Sequence, residues 1–579
     1  MKFPSVSQFR LVPALVAAAA ALHCSVAPAA SAWPVGGEHG MVVTAHQLAT
    51  KVGVDVLKRG GNAVDAAVAV GYALAAVYPA AGNLGGGGFM TIAMADGRKT
   101  FIDFRENAPL AAKPDMYLDS AGNVIKNAST KGHLAAGVPG SVAGMEYARE
   151  KYGTRARGTL IAPAIAFAER GFVLDEGDIA IFSTATDDFR ADPATAAIFL
   201  NKGQPYKVGD RLVQKDLART LRLIAQRGPD GFYRGRVAEA IAASSAAGNG
   251  IITKEDLAQY KVRELAPIEC DYRGYHVVSA PPPSSGGVIV CEILDILEGY
   301  PLKDLGFRSA QAVHYQIEAM RHAYLDRNTY LGDPDFVKNP LDRLLDKKYA
   351  GEIRAAIDPA KAGVSRDMKP GTPPHEGTNT THYSIVDGQG NAVAVTYTLN
   401  DWFGARVTAA GTGVLLNDEM DDFTAKAGVP NLYGLVQGEA NSIAPGKRPL
   451  SSMSPTIVSK DGKPVMVVGT PGGSRIITVV VHTILNVIDY GMDIQEAVDA
   501  TRFHQQWLPE TTNLEPFALS PDTQKILEGM GHKFVGAQPA NHVAAILVGA
   551  PSLGGKPRGS YKYYGANDPR RGTGLALGY

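Results

Sequence analysis

The pattern of this chain changes character once, over residues 358–379, and that change limits the folds open to it. Before it, from about residue 131 to 354, apolar residues recur with largely helical spacing. Within it, Pro, Gly, Lys, Asp and small polar residues dominate, as in an exposed connector. After it come short apolar runs that pair across turn residues. Residues 381–387 and 392–399 flank Gly388-Gln389-Gly390, and residues 455–459 and 464–469 flank Lys460-Asp461-Gly462-Lys463. Strand pairs beside long apolar helices bury their faces only by layering, so an α/β or α+β body is expected.

The N-terminal third adds the same ingredients. Residues 46–59 have helical spacing, Gly60-Gly61 end the run, and Asn62 is placed to cap a second helix with Asp65 in its first turn. That helix, roughly 63–77, is apolar on most faces and reads as buried between layers, since the uncharged run 66–81 is too short to span a bilayer. Gly85-Gly86-Gly87-Gly88 lack the Lys-Ser/Thr that a phosphate cradle needs and point instead to a close approach of backbone to a ligand or another strand. Two strand-like runs, 89–94 and 100–105, follow. Farther on, 281–287 form a stiff turn before another apolar helix.

Lys2 and Arg10, an Ala-rich apolar segment and Ala30-Ser31-Ala32 form an export signal with cleavage expected after Ala32. A secreted, periplasmic product without a membrane anchor is therefore expected. Removing that leader leaves 55 Lys and Arg of the 57, against all 57 Asp and Glu, a formal net charge of −2. This gives no support for a nucleic-acid partner. Cys270 and Cys291 remain; one disulfide is possible, but free buried cysteines are the favoured reading. The 13 His form no metal signature, so neither metal nor cofactor is expected, and His46, His382, His504 and His542 read as structural. No Gly-x-Ser-x-Gly nucleophile elbow occurs around the plausible serines.

The most informative boundary is Asn379-Thr380-Thr381-His382, where the connector meets the first strand; a Thr pair there is either plain β-propensity or a nucleophile. A cut before Thr380 would expose a hydroxyl beside a free α-amine, which can act as its base. If Gly388–Gly390 form a three-residue loop, Asp387 pairs with Asn391 and the antiparallel register sets position 380 opposite Thr398, a hydrogen-bond donor for the nucleophile. A slip of one residue would remove this arrangement. Pro471-Gly472-Gly473-Ser474 before a helix offers either backbone amides for an oxyanion or a simple turn with Ser474 as cap.

Taken together, these residues resemble the γ-glutamyltranspeptidase family of N-terminal-nucleophile hydrolases. Thr380-Thr381-His382-Tyr383-Ser384 is similar to its processing motif. Pro449-Leu450-Ser451-Ser452-Met453-Ser454-Pro455 and Pro471-Gly472-Gly473-Ser474-Arg475 resemble two further signatures, and Asp103-Phe104-Arg105-Glu106 its substrate-arginine segment. The resemblance covers essentially the whole mature chain. It implies an α+β fold, the four-layer αββα sandwich of that hydrolase type. It also implies a precursor that cuts its own Asn379–Thr380 bond into a large subunit (33–379) and a small one (380–579), which stay associated around one core.

The resemblance further implies that Thr380 attacks the γ-carbonyl of glutathione or another γ-glutamyl compound, and that Thr398 orients it. Gly472 and Gly473 would hold the oxyanion, and water, an amino acid or a dipeptide would accept the acyl group. Arg105, Ser451 and Ser452 would bind the α-carboxylate; Asn400, Glu419 and Asp422 would bind the α-ammonium; Tyr433, in a covering loop over 428–448, would close the pocket. Glu419 stands where the family has Gln or Glu. A glutaryl or cephalosporin acylase, or a poly-γ-glutamate-processing enzyme, is the alternative with the same nucleophile, although the retained Asp422 argues against acylase as the main activity. A binding protein that never matures is the non-enzyme alternative. Segment 551–564 has no assigned role.

Overall fold

The computed structural model describes residues 31–365, 380–539, 541–553 and 561–579. Residues 1–30 of the expected 1–32 export signal, the end of the connector with Asn379, residue 540 and residues 554–560 lie outside the described residues. From Pro34 onward two seven-stranded antiparallel sheets face one another. The first runs Leu575–Gly578, Met41–Thr44, Thr381–Val386, Ala392–Thr398, Gly87–Ala93, Lys99–Phe104, Arg263–Leu265. The second runs Val35–Gly37, Tyr563–Asn567, Ala544–Val548, Lys463–Gly469, Thr456–Lys460, Tyr275–Ser279, Ile268–Tyr272. Met41, Val43, Val386, Ile457, Val467 and Ile546 fill the space between them.

Helices cover both outer faces. Gln47–Lys58, Ala63–Val77 and Ser141–Tyr152 pack on the first sheet; Gly286–Glu298, Arg475–Ile488 and Ile494–Asp499 pack on the second. The result is the expected αββα sandwich. Because helices shield one face and the other sheet the opposite face, central strands such as Ala392–Thr398 are buried at every residue. Ala63–Val77 is likewise buried throughout, and Asn62 caps it in a reciprocal box with Asp65. Among the described residues no helix is long and apolar enough to cross a membrane.

Two readings need correction. Arg263–Leu265, Ile268–Tyr272 and Tyr275–Ser279 are strands inside the stretch taken as largely helical. The first two are sheet edges: Ile268–Tyr272 alternates apolar inward and charged outward, a period of two that the helical reading overlooks, and Arg263–Leu265 is too short to show a period. Cys270 and Cys291 are not free but form a disulfide, because the strand Ile268–Tyr272 lies against the helix Gly286–Glu298 that carries Cys291.

Candidate active site

The hairpin that begins just after Thr380 has the expected register. Asp387 N–H donates to Asn391 O, and Thr381 pairs with Tyr397, so the next position sets Thr380 opposite Thr398. The Thr398 hydroxyl accepts the Asn400 N–H at 2.8 Å and donates to Thr380 Oγ1 at 3.3 Å. Receiving one hydrogen frees its own for the partner threonine, which fixes the direction of the second bond. Asn400 takes a positive φ of 81° here and donates its side-chain amide to Asp418 O at 3.0 Å.

The glycine run explains how these strands approach so closely. Gly86 lies against the Thr398 carbonyl, where a methyl group would collide with backbone. Asn417 locks the neighbouring turn: its Nδ2 donates to Gly85 O and Gly137 O, while its Oδ1 accepts the Gly137 and Glu419 amides. Close approach to another strand, not a phosphate, is therefore what these glycines serve.

Arg105, at the end of the strand Lys99–Phe104, is fully buried. Its Nη1 pairs with Glu419, its Nη2 with Asp422, and its Nε donates to Pro449 O at 3.2 Å. Burial opposes its charge, but Glu419, Asp422 and Glu106 outweigh that and hold it protonated above its usual range. Burial pushes the Glu419 and Asp422 carboxyls upward, with Arg105 pulling them back. Glu106, whose two oxygens have no hydrogen-bond partner among the described residues, is pushed by burial up to about 7.

On the opposite wall, Ser451 Oγ accepts the Met453 N–H at 3.1 Å and Ser452 Oγ accepts Arg327 Nη2 at 3.0 Å. Tyr433 Oη donates to Asn400 O at 2.8 Å, and its ring packs on Gly473. Gly472 and Gly473 have φ of 137° and 54°, and among the described residues neither amide has a protein acceptor. Asn541 Nδ2 donates to Pro471 O at 2.6 Å and packs on Gly472. Ser474 precedes the helix without a side-chain capping bond.

One cleft is thus lined by Thr380, Thr398, Arg105, Asn400, Glu419, Asp422, Tyr433, Ser451, Ser452 and Gly473. Gly472 is adjacent but not among its lining residues. The difference from expectation is that Arg105 pairs directly with the acids assigned to the opposite end of a substrate; buried charges find partners within the wall itself. Sequence reasoning missed Arg327, which lines the same cleft, and Asn541, which props the glycine turn. Neither carries a local signal, since each comes from a segment remote in sequence. Elsewhere, among the described residues, His314, Glu318 and His532 are near enough to share a metal ion. They do not line the cleft, and His314 Nδ1 bonds His532 Nε2 at 2.8 Å while the Gly363 amide donates to Glu318.

The arrangement offers a hydroxyl nucleophile with an aligned donor, a pair of amides, and adjoining groups of opposite charge. That set suits acyl transfer from a zwitterionic substrate. Comparison with known proteins agrees with this chemistry. The family model described as "Gamma-glutamyltranspeptidase" matches residues 49–578. The chain is 74% identical to a glutathione hydrolase proenzyme of Pseudomonas sp. (strain A14), over 97% of this chain and 98% of that one. It is 51% identical to the glutathione hydrolase proenzyme of Escherichia coli (strain K12), over 94% and 93%. Its fold is similar to the crystal structure of a cephalosporin acylase from Bacillus halodurans, with a TM-score of 0.81 at 27% identity over 96% and 98%.

Proposed function

The chain belongs to the γ-glutamyltranspeptidase family, and on that premise we propose that it is a self-cleaving γ-glutamyltransferase and glutathione hydrolase made as an exported precursor. The observation that carries this is the joining, in one cleft, of the Thr398–Thr380 hydroxyl pair with the Arg105–Glu419–Asp422 charge group. In maturation the Thr380 hydroxyl attacks the Asn379 carbonyl carbon, the peptide nitrogen leaves as the α-amine of Thr380, and water hydrolyses the resulting ester. The products are a large chain, 33–379, and a small chain, 380–579.

In turnover that amine takes the Thr380 hydroxyl proton as Oγ1 attacks the γ-carbonyl of the donor. The amides of Gly472 and Gly473 receive the oxyanion. Collapse expels the leaving amine with the proton, Cys-Gly when the donor is glutathione. Water, an amino acid or a dipeptide then takes the γ-glutamyl group from Thr380. A donor α-carboxylate meets Arg105, Ser451 and Ser452, while its α-ammonium meets Asn400, Glu419 and Asp422, so each charge finds an opposite one. Tyr433 covers the glutamyl group and controls access to it. Export and a periplasmic location are supported by the leader-like N-terminus and by the disulfide, which suits an oxidising compartment.

A glutaryl or cephalosporin acylase is the second reading, favoured by the fold match to the Bacillus halodurans enzyme. Comparing turnover of a γ-glutamyl amide with its des-amino glutaryl analogue separates the two. The γ-glutamyl donor is expected to be preferred by about a hundredfold or more, because the analogue lacks the ammonium that would meet Glu419 and Asp422. Equal turnover of both would contradict the placement of the α-amine at Glu419 and Asp422.

A further inference from the structure

The helix Ala310–Tyr330 supplies none of the groups placed in the reaction, yet two of its residues one turn apart reach the cleft walls. Tyr324 Oη donates to Ser474 O, next to the glycine turn. Arg327 is buried completely and all its partners are neutral: Nε donates to Ser285 Oγ at 2.9 Å, Nη1 to Asn328 Oδ1 at 2.8 Å and Gln437 Oε1 at 3.3 Å, and Nη2 to Ser452 Oγ at 3.0 Å. Among the described residues no carboxylate pairs with it. Burial pushes its guanidinium down to about 10, which leaves it protonated at neutral pH, with Asp422 and Arg105 the charged groups that it feels.

A buried cation with no paired acid is costly to keep unless it acts on something else. Here it acts on Ser452. The serine oxygen is taken up as an acceptor by Arg327, and among the described residues its own proton has no protein acceptor. Ser451 is in the same state, with Met453 N–H on its oxygen. Two hydroxyl protons are thereby directed into a cleft that Arg327 itself lines beside Arg105. Donors from two serines and a second cation make a receptor for a carboxylate.

We propose that Arg327 is a positioning residue that turns Ser452 into a hydrogen-bond donor and sets the preference for donors bearing an α-carboxylate. The inference rests on the γ-glutamyl reading above and deepens it. It also gives the helix of the large segment a part in substrate choice by a site whose serines belong to the small one.

The test compares γ-glutamyl p-nitroanilide with 4-aminobutanoyl p-nitroanilide, which lacks only the α-carboxylate. Arg327→Lys, which cannot reproduce the planar fork, should lower kcat/KM on the first by about tenfold to a hundredfold. That loss should lie mainly in KM, while the second substrate changes by less than about threefold. Loss of equal size on both substrates, or on neither, overturns the proposal. Should Arg327→Lys stay uncut, Ser285→Ala decides. Ser285 holds Nε without lining the cleft, so a smaller loss confined to the carboxylate-bearing substrate is expected, and an equal effect on both again overturns it. Wild-type enzyme that turns over neither anilide would instead count against the γ-glutamyl reading itself, before any variant is compared.

Discussion

A threonine hydroxyl is a weak nucleophile until its proton has somewhere to go. At Thr380 the Thr398 hydroxyl donates to Oγ1 at 3.3 Å, so the nucleophile's own proton is directed away from that partner. In the proposed mechanism it passes to an α-amine that exists only after cleavage. Thr380→Ala should therefore give a single uncut chain with γ-glutamyl transfer reduced by at least about a thousandfold, read by gel and by anilide release. Normal cleavage in that variant would remove the hydroxyl from the maturation step. Glu106 makes a second prediction at this scale. Its carboxyl is raised from an ordinary 4.5 to about 7, by burial first and with Arg105 opposing. The folded state thus binds the proton more tightly than the unfolded chain. The stability this group contributes is complete below about pH 4.5 and is lost as pH rises through about 7. Glu106→Gln should flatten the fall in thermal stability across that window. Parallel pH curves for variant and wild type would contradict it.

The element that positions these residues is the hairpin of Thr381–Val386 and Ala392–Thr398, pressed onto the glycine run. Its register was readable from the sequence because a three-residue loop between apolar runs leaves little choice. The glycine run was readable as a close approach, but its target, the Thr398 carbonyl, was not. Gly86→Ala would drive a methyl group into that carbonyl. It should cost about 1–3 kcal/mol and displace Thr398, so slowed or absent cleavage is expected with a lowered melting temperature. Unchanged maturation would show that the strand yields without disturbing the threonine pair. The edge strand Ile268–Tyr272 carries a legible alternation, but only over five residues within a long stretch of helical spacing, and Arg263–Leu265 is too short to show one. The Cys270–Cys291 disulfide was hidden because sequence spacing does not reveal which strand lies against which helix.

At the scale of the molecule, the first sheet alternates segments from both sides of the proposed cut: Met41–Thr44 lies between Thr381–Val386 and Leu575–Gly578, and Ala392–Thr398 pairs with Gly87–Ala93. Neither segment closes that sheet alone, which gives a physical reason for two chains to stay together after cleavage. The layered class was legible from helices alternating with strand pairs, whereas the αββα arrangement came from the family resemblance. Contacts across long sequence distances, such as Arg327 to Ser452 or Asn541 to Pro471, were not legible, because no periodicity records them. Intact-mass measurement of the purified protein, with N-terminal sequencing, tests the central claim most directly. The account predicts two masses, the lighter from a chain that begins Thr380-Thr381-His382-Tyr383 and ends at Tyr579. A single mass spanning both segments, in protein that still transfers γ-glutamyl groups, would contradict it.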